Sequence, residues 1–150
     1  MRPRRLDTFG YVGFHAYFLT LCTFQRRPYF SDPDLVGHVS AQVLRIFAMS
    51  GFDIPAYCFM PDHSHFLVRG LSEHAHLPPV VRRARQSTGT RFSRRWSGRL
   101  WQEGYYERVL RGDESVETVA AAGPVRASSL PGDRTIEGDR SHALARTPRS

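Results

Sequence analysis

The sequence predicts an α+β domain: four strands in one antiparallel sheet, with two helices on one face. Three observations carry that reading. Apolar runs rich in aromatic and β-branched residues fall at 14–24, 53–60, 63–69 and 105–110. Two amphipathic stretches, each with proline near its start, fall at 33–49 and 76–94. The resulting order, β-α-β-β-α-β, is the ferredoxin-like pattern, and Asp113 with Glu114 and Glu117 marks an added C-terminal helix.

Taken in order, residues 1–13 read as a loose basic leader, 14–126 as the folded domain and 127–150 as a tail. Phe14 to Phe24 alternates as a strand, and Gln25-Arg26-Arg27-Pro28 ends it. Asp32 can cap the first helix, with Pro33 at its first position. Leu35, Val36, Val39, Val43, Ile46 and Phe47 then share one helix face, and Gly51 closes the element. In the third strand, alternation puts His63 and His65 on one face and Ser64, Phe66 and Val68 on the core side. Pro78 and Pro79 fit only the first turn of the second helix, because proline deeper in a helix removes a hydrogen bond and clashes. Tyr105 to Leu110 reads as the last strand. The tail has no aromatic residue and too few apolar ones to offset its ordering entropy, so disorder is expected there.

The chain has 150 residues, enough for one domain. It carries 21 basic residues, all arginine, against 14 acidic ones, a net charge of +7. That balance points to nucleic acid or another polyanion, since guanidinium groups make bidentate contacts to phosphate. Arg82, Arg83, Arg85, Arg91, Arg94, Arg95 and Arg99 form an unmixed basic run, with no acid from 74 through 102. Trp96 and Trp101 lie among them, available for stacking on unpaired bases or for the core. Cys22 and Cys58 sit in apolar runs, which suits buried free thiols in a reducing cytosol. No apolar run is long enough for a signal peptide or a membrane span, and a cytoplasmic location is expected.

Chemistry concentrates at Pro61-Asp62-His63-Ser64-His65. Two imidazoles on one face of a strand make half of a divalent-metal site; a pair of surface histidines is the plainer alternative. By ligand type alone, zinc or another transition metal is suited. His74 and His76 form a second such pair in a loop, and His15, His38 and His142 read as surface residues.

Several stretches together carry a family resemblance: PDHSHFLV at 61–68, FLTLCTFQRRPYF at 18–30, AYCFMPDH at 56–63, RLWQEGYYERVLRGDE at 99–114 and PVRA at 124–127. They resemble the single-tyrosine HUH (His-hydrophobic-His) transposases, both the insertion-sequence-200-like enzymes and their REP-associated relatives. The resemblance covers about residues 14–127. It implies the same fold, with His63 and His65 as ligands of magnesium or manganese. It also implies a partner in single-stranded or hairpin DNA, and it is compatible with a homodimer and with association with the bacterial nucleoid. Arg26, Arg27, Arg82, Arg83, Arg85, Arg91, Arg94 and Arg95 are the expected DNA contacts.

In that family a tyrosine on the last helix attacks DNA to form a 5′-phosphotyrosine, and an Asn or Gln one turn later completes the metal shell. The family's helix ends in a Tyr-Ile-x-x-Asn-Pro-Val-Arg-like run. This chain has Val119-Ala120-Ala121-Ala122-Gly123-Pro124-Val125-Arg126 instead. Counting back from Pro124 puts Val119 at the nucleophile position and Gly123 at the Asn position, and counting forward from Asp113 puts Ala122 at the nucleophile position. Tyr105 and Tyr106 are the nearest phenols, and both fall in the expected last strand. The expectation is a DNA-binding transposase relative whose cleavage is lost. The alternatives are a non-catalytic hairpin-binding regulator and a metal-dependent phosphohydrolase that uses water.

Overall fold

In the computed structural model, residues 10–110 and the pair 145–146 are described. The elements are β1 (Ala16–Cys22), α1 (Pro33–Met49), β2 (Phe52–Met60), β3 (His63–Gly70), α2 (Leu77–Arg95), β4 (Tyr106–Leu110) and β5 (Ala145–Arg146). Their order in the sheet is β4-β1-β3-β2-β5, and every neighbouring pair is antiparallel. The expected α+β architecture is therefore present, with β3 inserted between β1 and its hairpin partner β2. The expected helix from Asp113 lies outside the described residues, as does most of the expected tail; β5 is a two-residue strand within that tail.

Alternation explains which side chains face the helices. Tyr17, Leu19 and Leu21 of β1, Phe59 of β2, and Phe66 and Val68 of β3 pack with Leu35, Val39 and Val43 of α1 and Leu77, Val81 and Ala84 of α2. The opposite face holds a smaller apolar group of Phe18, Ala56, Leu67 and Leu110. In β2 the alternation reverses: Phe52 and Ile54 face the helices, and after Pro55 it is Tyr57 and Phe59 that do. Pro55 has no N–H for the ladder, and the pairing register shifts between Asp53 and Ala56.

Helix α1 begins as expected. Asp32 accepts from the Asp34 backbone N–H at 2.9 Å, and Pro33 occupies the first turn. Several boundaries differ from the sequence reading. Tyr11, inside the expected leader, is buried and stacks on Tyr17 at 6.1 Å between ring centroids. Strand β1 is shorter than 14–24 because Phe14 is 72% exposed and Thr23 already turns toward the Asp62 carbonyl. Tyr105 precedes β4 and joins the helix-side core. Cys22 and Cys58 are free and buried, as expected. Among the described residues, no helix is long and apolar enough to cross a membrane.

Candidate functional site

Opposed residues in antiparallel strands share a face. The register therefore sets two rows across the face away from the helices: Cys22, His63 and Met60 in one, Thr20, His65 and Cys58 in the next. The His63 and His65 rings lie 4.8 Å apart between centroids, inclined by 74°. Each histidine is only 2% exposed, which rules out the surface-pair alternative.

Both rings are anchored through the same nitrogen. His65 Nδ1 lies 3.0 Å from Thr20 Oγ1, and its ring stacks on Phe18 at 5.2 Å. Burial, and then the neighbouring His63 and Arg26, push the His65 pKa down to about 3, so its imidazole is neutral at ordinary pH. His63 Nδ1 donates to Asp62 Oδ1 at 2.7 Å. Asp62 Oδ2 accepts from Arg26 Nε at 2.9 Å, and Arg26 Nη1 also reaches Cys22 Sγ at 3.1 Å. Burial by itself would raise the Asp62 pKa; the hydrogen bonds from His63 and Arg26 outweigh it, and the carboxyl lies below its usual range. A carboxylate bound to the far nitrogen is the usual device for orienting a metal-ligating imidazole. Gln25 and Arg26 have left-handed backbones (φ 55 and 54), and this turn carries Arg26 back to Asp62.

With Nδ1 held in each ring, Nε2 is the atom that each could offer a cation. The pair thus fits two positions of a divalent shell. Among the described residues no group of three or more His, Cys, Asp or Glu is placed to hold an ion. Positions 119–123, where the resemblance would put the next ligand, lie outside them. Asp62 and Thr20 escaped the sequence reading as supports of the site. Asp62 was visible as the residue beside His63, whereas Thr20 depends on the β1–β3 register.

The six tyrosines divide by face. Tyr11, Tyr17 and Tyr105 are buried in the helix-side core, and Tyr29 and Tyr57 pack against it. Tyr106 alone is on the histidine face: it pairs with Thr20, the residue bonded to His65. The sequence reading put Tyr105 and Tyr106 together; the structure separates them.

The arginine run also divides. Arg82, Arg85 and Arg99 line a cleft of about 430 Å³ with Gln86, Thr90 and Ser93. Arg91 and Arg95 instead turn toward α1, where Arg91 faces the Gln42 amide and Arg95 reaches His38 and Asp34. Arg83 and Arg94 are exposed. Arg26 belongs to the Asp62 relay, and Arg27 donates to Gln25 Oε1 at 3.0 Å. Trp101 is buried, with its Nε1 donating to Thr88 Oγ1 at 2.8 Å, so it is a core residue and not a stacking platform. Trp96 is half-buried, stacked on Phe92 with Arg95 over its ring, and its Nε1 donates to Asp32 at 3.1 Å. His74 and His76 are both exposed beside the start of α2, and His74 pairs with Glu73.

Comparison with known proteins bears on this arrangement. No curated protein matches the chain. Among solved structures, a REP-associated tyrosine transposase bound to a REP hairpin superposes with a TM-score of 0.60 at 16% identity over 75% of this chain. The match spans 63% of that protein's length. A Deinococcus radiodurans R1 protein assigned as a transposase gives a TM-score of 0.54 at 25% identity, covering 79% of this chain and 92% of its own. The sequence profile of the IS200-like transposases matches residues 12–121, a span that holds the anchored histidine pair and every described element from β1 to β4. The chain belongs to the IS200-like transposase family.

Proposed function

We propose that this chain binds single-stranded or hairpin DNA and holds a divalent ion at His63 and His65, but lacks the covalent cleavage step of the single-tyrosine enzymes. The observation that carries this reading is the placement of the tyrosines. The chain has no tyrosine after Tyr106, and five of its six pack on the side of the sheet away from the histidines. A phosphotyrosine intermediate requires a phenol aimed at the phosphorus on the metal side.

What remains suits binding. His65 stays neutral, and in the tautomer that donates Nδ1–H to Thr20 Oγ1 its Nε2 would be the atom that serves an ion. Asp62, ionised and held by Arg26, fixes the His63 ring through Nδ1. A divalent ion bound there would polarise a phosphoryl oxygen as a Lewis acid. Magnesium or manganese follows from the resemblance, while the imidazole donors suit zinc equally. The exposed arginines supply the sequence-independent attraction to phosphate.

A second reading is favoured by one observation, the position of Tyr106 on the histidine face. In it, Tyr106 Oη attacks the phosphorus, forms the 5′-phosphotyrosine and releases a 3′-hydroxyl. Strand β1 stands between β4 and β3, so the Tyr106 and His65 backbones are about 10 Å apart, two strand spacings. The deciding experiment incubates the protein with a labelled single-stranded hairpin and manganese and runs a denaturing gel. No protein–DNA adduct is expected. An adduct that disappears in Tyr106→Phe would replace the first reading with the second. Calorimetric titration with manganese should show binding that His63→Ala abolishes; unchanged binding would remove His63 from the site.

A further inference from the structure

We infer that the cleft between α2 and the 98–102 segment is a subsite for one unpaired nucleotide of the bound strand. The inference rests on the DNA-binding reading and deepens it. Its first support is location. Thr23 bridges to Trp101, Gln102 N–H donates to the Cys22 carbonyl at 3.1 Å, and Phe24 N–H donates to the Leu100 carbonyl at 2.8 Å. Residues 100–102 thus continue the β4 side of the sheet past the end of β1, where Cys22 stands opposite His63. A single strand leaving the histidine face over this edge meets the cleft next.

The second support is chemistry. The lining includes Arg82 on the helix and Arg99 on the facing segment, both exposed. Gln86, Thr90 and Ser93 add amide and hydroxyl groups that can meet a base edge or a sugar. Among the described residues, no carboxylate lines the cleft. Solvated arginine faces usually interleave acids, and this one does not. A volume of about 430 Å³ lies within the range of small-molecule sites and suits one nucleotide, not a duplex.

The third support is rigidity. Arg85 donates to the Gln102 carbonyl at 2.5 Å and lies over the Tyr105 ring, tying the segment to the helix. Arg99 Nε donates to the Trp101 carbonyl at 3.0 Å, and Trp101 is held by Thr88. Walls fixed before the ligand arrives lower the ordering cost of binding. Gly89 leaves room in the lining: a Cβ there would come no closer than 3.9 Å to Trp101 Cδ1.

The test compares two fluorescein-labelled hairpins, one blunt and one with a four-nucleotide single-stranded tail, by anisotropy at fixed salt. The tail should tighten binding on the order of tenfold, the worth of one charge-assisted contact. Gly89→Gln should erase most of that advantage and leave blunt-hairpin affinity nearly unchanged, and Arg82→Gln should weaken the tailed hairpin more than the blunt one. Arg82 is exposed and Gly89→Gln improves helix propensity, so both variants should melt no lower than the parent. Blunt binding with no tail advantage, or equal weakening of both hairpins by the variants, would overturn the subsite and leave DNA binding standing. If neither hairpin binds, the subsite and the DNA-binding reading both fall.

Discussion

His65 is where stability and chemistry meet in one side chain. Its pKa is about 3 in the fold, against an ordinary value of 6.5. As pH falls below 6.5 the unfolded chain takes up a proton that the folded chain refuses until about pH 3, so this group makes stability fall with acid across that window. Asp62 acts in the same direction lower down, since its depressed pKa contributes stability that is lost as pH drops below the usual carboxylate range. The urea midpoint of the parent should therefore decline from neutral pH toward pH 5, and that of His65→Gln should decline less. Parallel slopes would place the acid sensitivity elsewhere. The Thr20 hydroxyl and the Phe18 ring, which hold the imidazole in place, come from a strand more than forty residues away in sequence.

At the scale of elements, the β2–β3 hairpin and its ends decide how the site is aimed. Gly70 closes β3 against the Gly13 carbonyl, and a Cβ at Gly70 would stand closer to that oxygen than real Cβ atoms come. Gly70→Ala should cost about 1–3 kcal/mol, the usual penalty of overpacking. Gly37→Ala, on the exposed side of α1 with open space around it, should instead stabilise by about 1 kcal/mol. Denaturant melts of the two variants check the contrast. The start of α1 was legible because Asp32 and Pro33 are local signals, and the direction of His63 and His65 was legible because β3 keeps strict alternation. The reversal at Pro55 was open to view as a proline in a strand, but its effect on facing depends on the partner strand. Tyr105 and Tyr106, and the arginines of α2, were read as groups because they are adjacent in sequence. Helix phase and strand pairing then send neighbours to opposite sides. Burial of the histidine pair was not readable, since it depends on the second apolar face of the sheet.

For the whole molecule, the charge of +7 is carried only by arginine. Affinity for a hairpin oligonucleotide should therefore fall steeply with salt, with log K losing about 0.7 per unit of log salt for each single-strand phosphate contacted. Anisotropy titrations at several salt concentrations measure this slope, and a flat response would sink the phosphate-binding role of the arginines. The two faces of the sheet divide the work. One buries the core with α1 and α2, and the other carries the imidazoles, the thiols and the one tyrosine on that side. The family match runs from residue 12 to residue 121 and so takes in the whole of the described β1–β4 fold.

The two cysteines give the site a built-in clock. Cys22 and Cys58 stand across from His63 and His65, and all four side chains are nearly inaccessible to solvent. A reagent for these sulfurs therefore reports on access to the same face of the sheet as the imidazoles. Burial also pushes the Cys58 thiol up to about 11, which keeps the reactive thiolate scarce at neutral pH. Labelling by an aromatic disulfide should be slow in native buffer and rapid in denaturant, and the ratio of the rates reports the free energy of local opening. Hairpin DNA should change the native rate. Labelling as fast as that of free cysteine would mean that this face breathes on the time scale of the reagent and presents no gate.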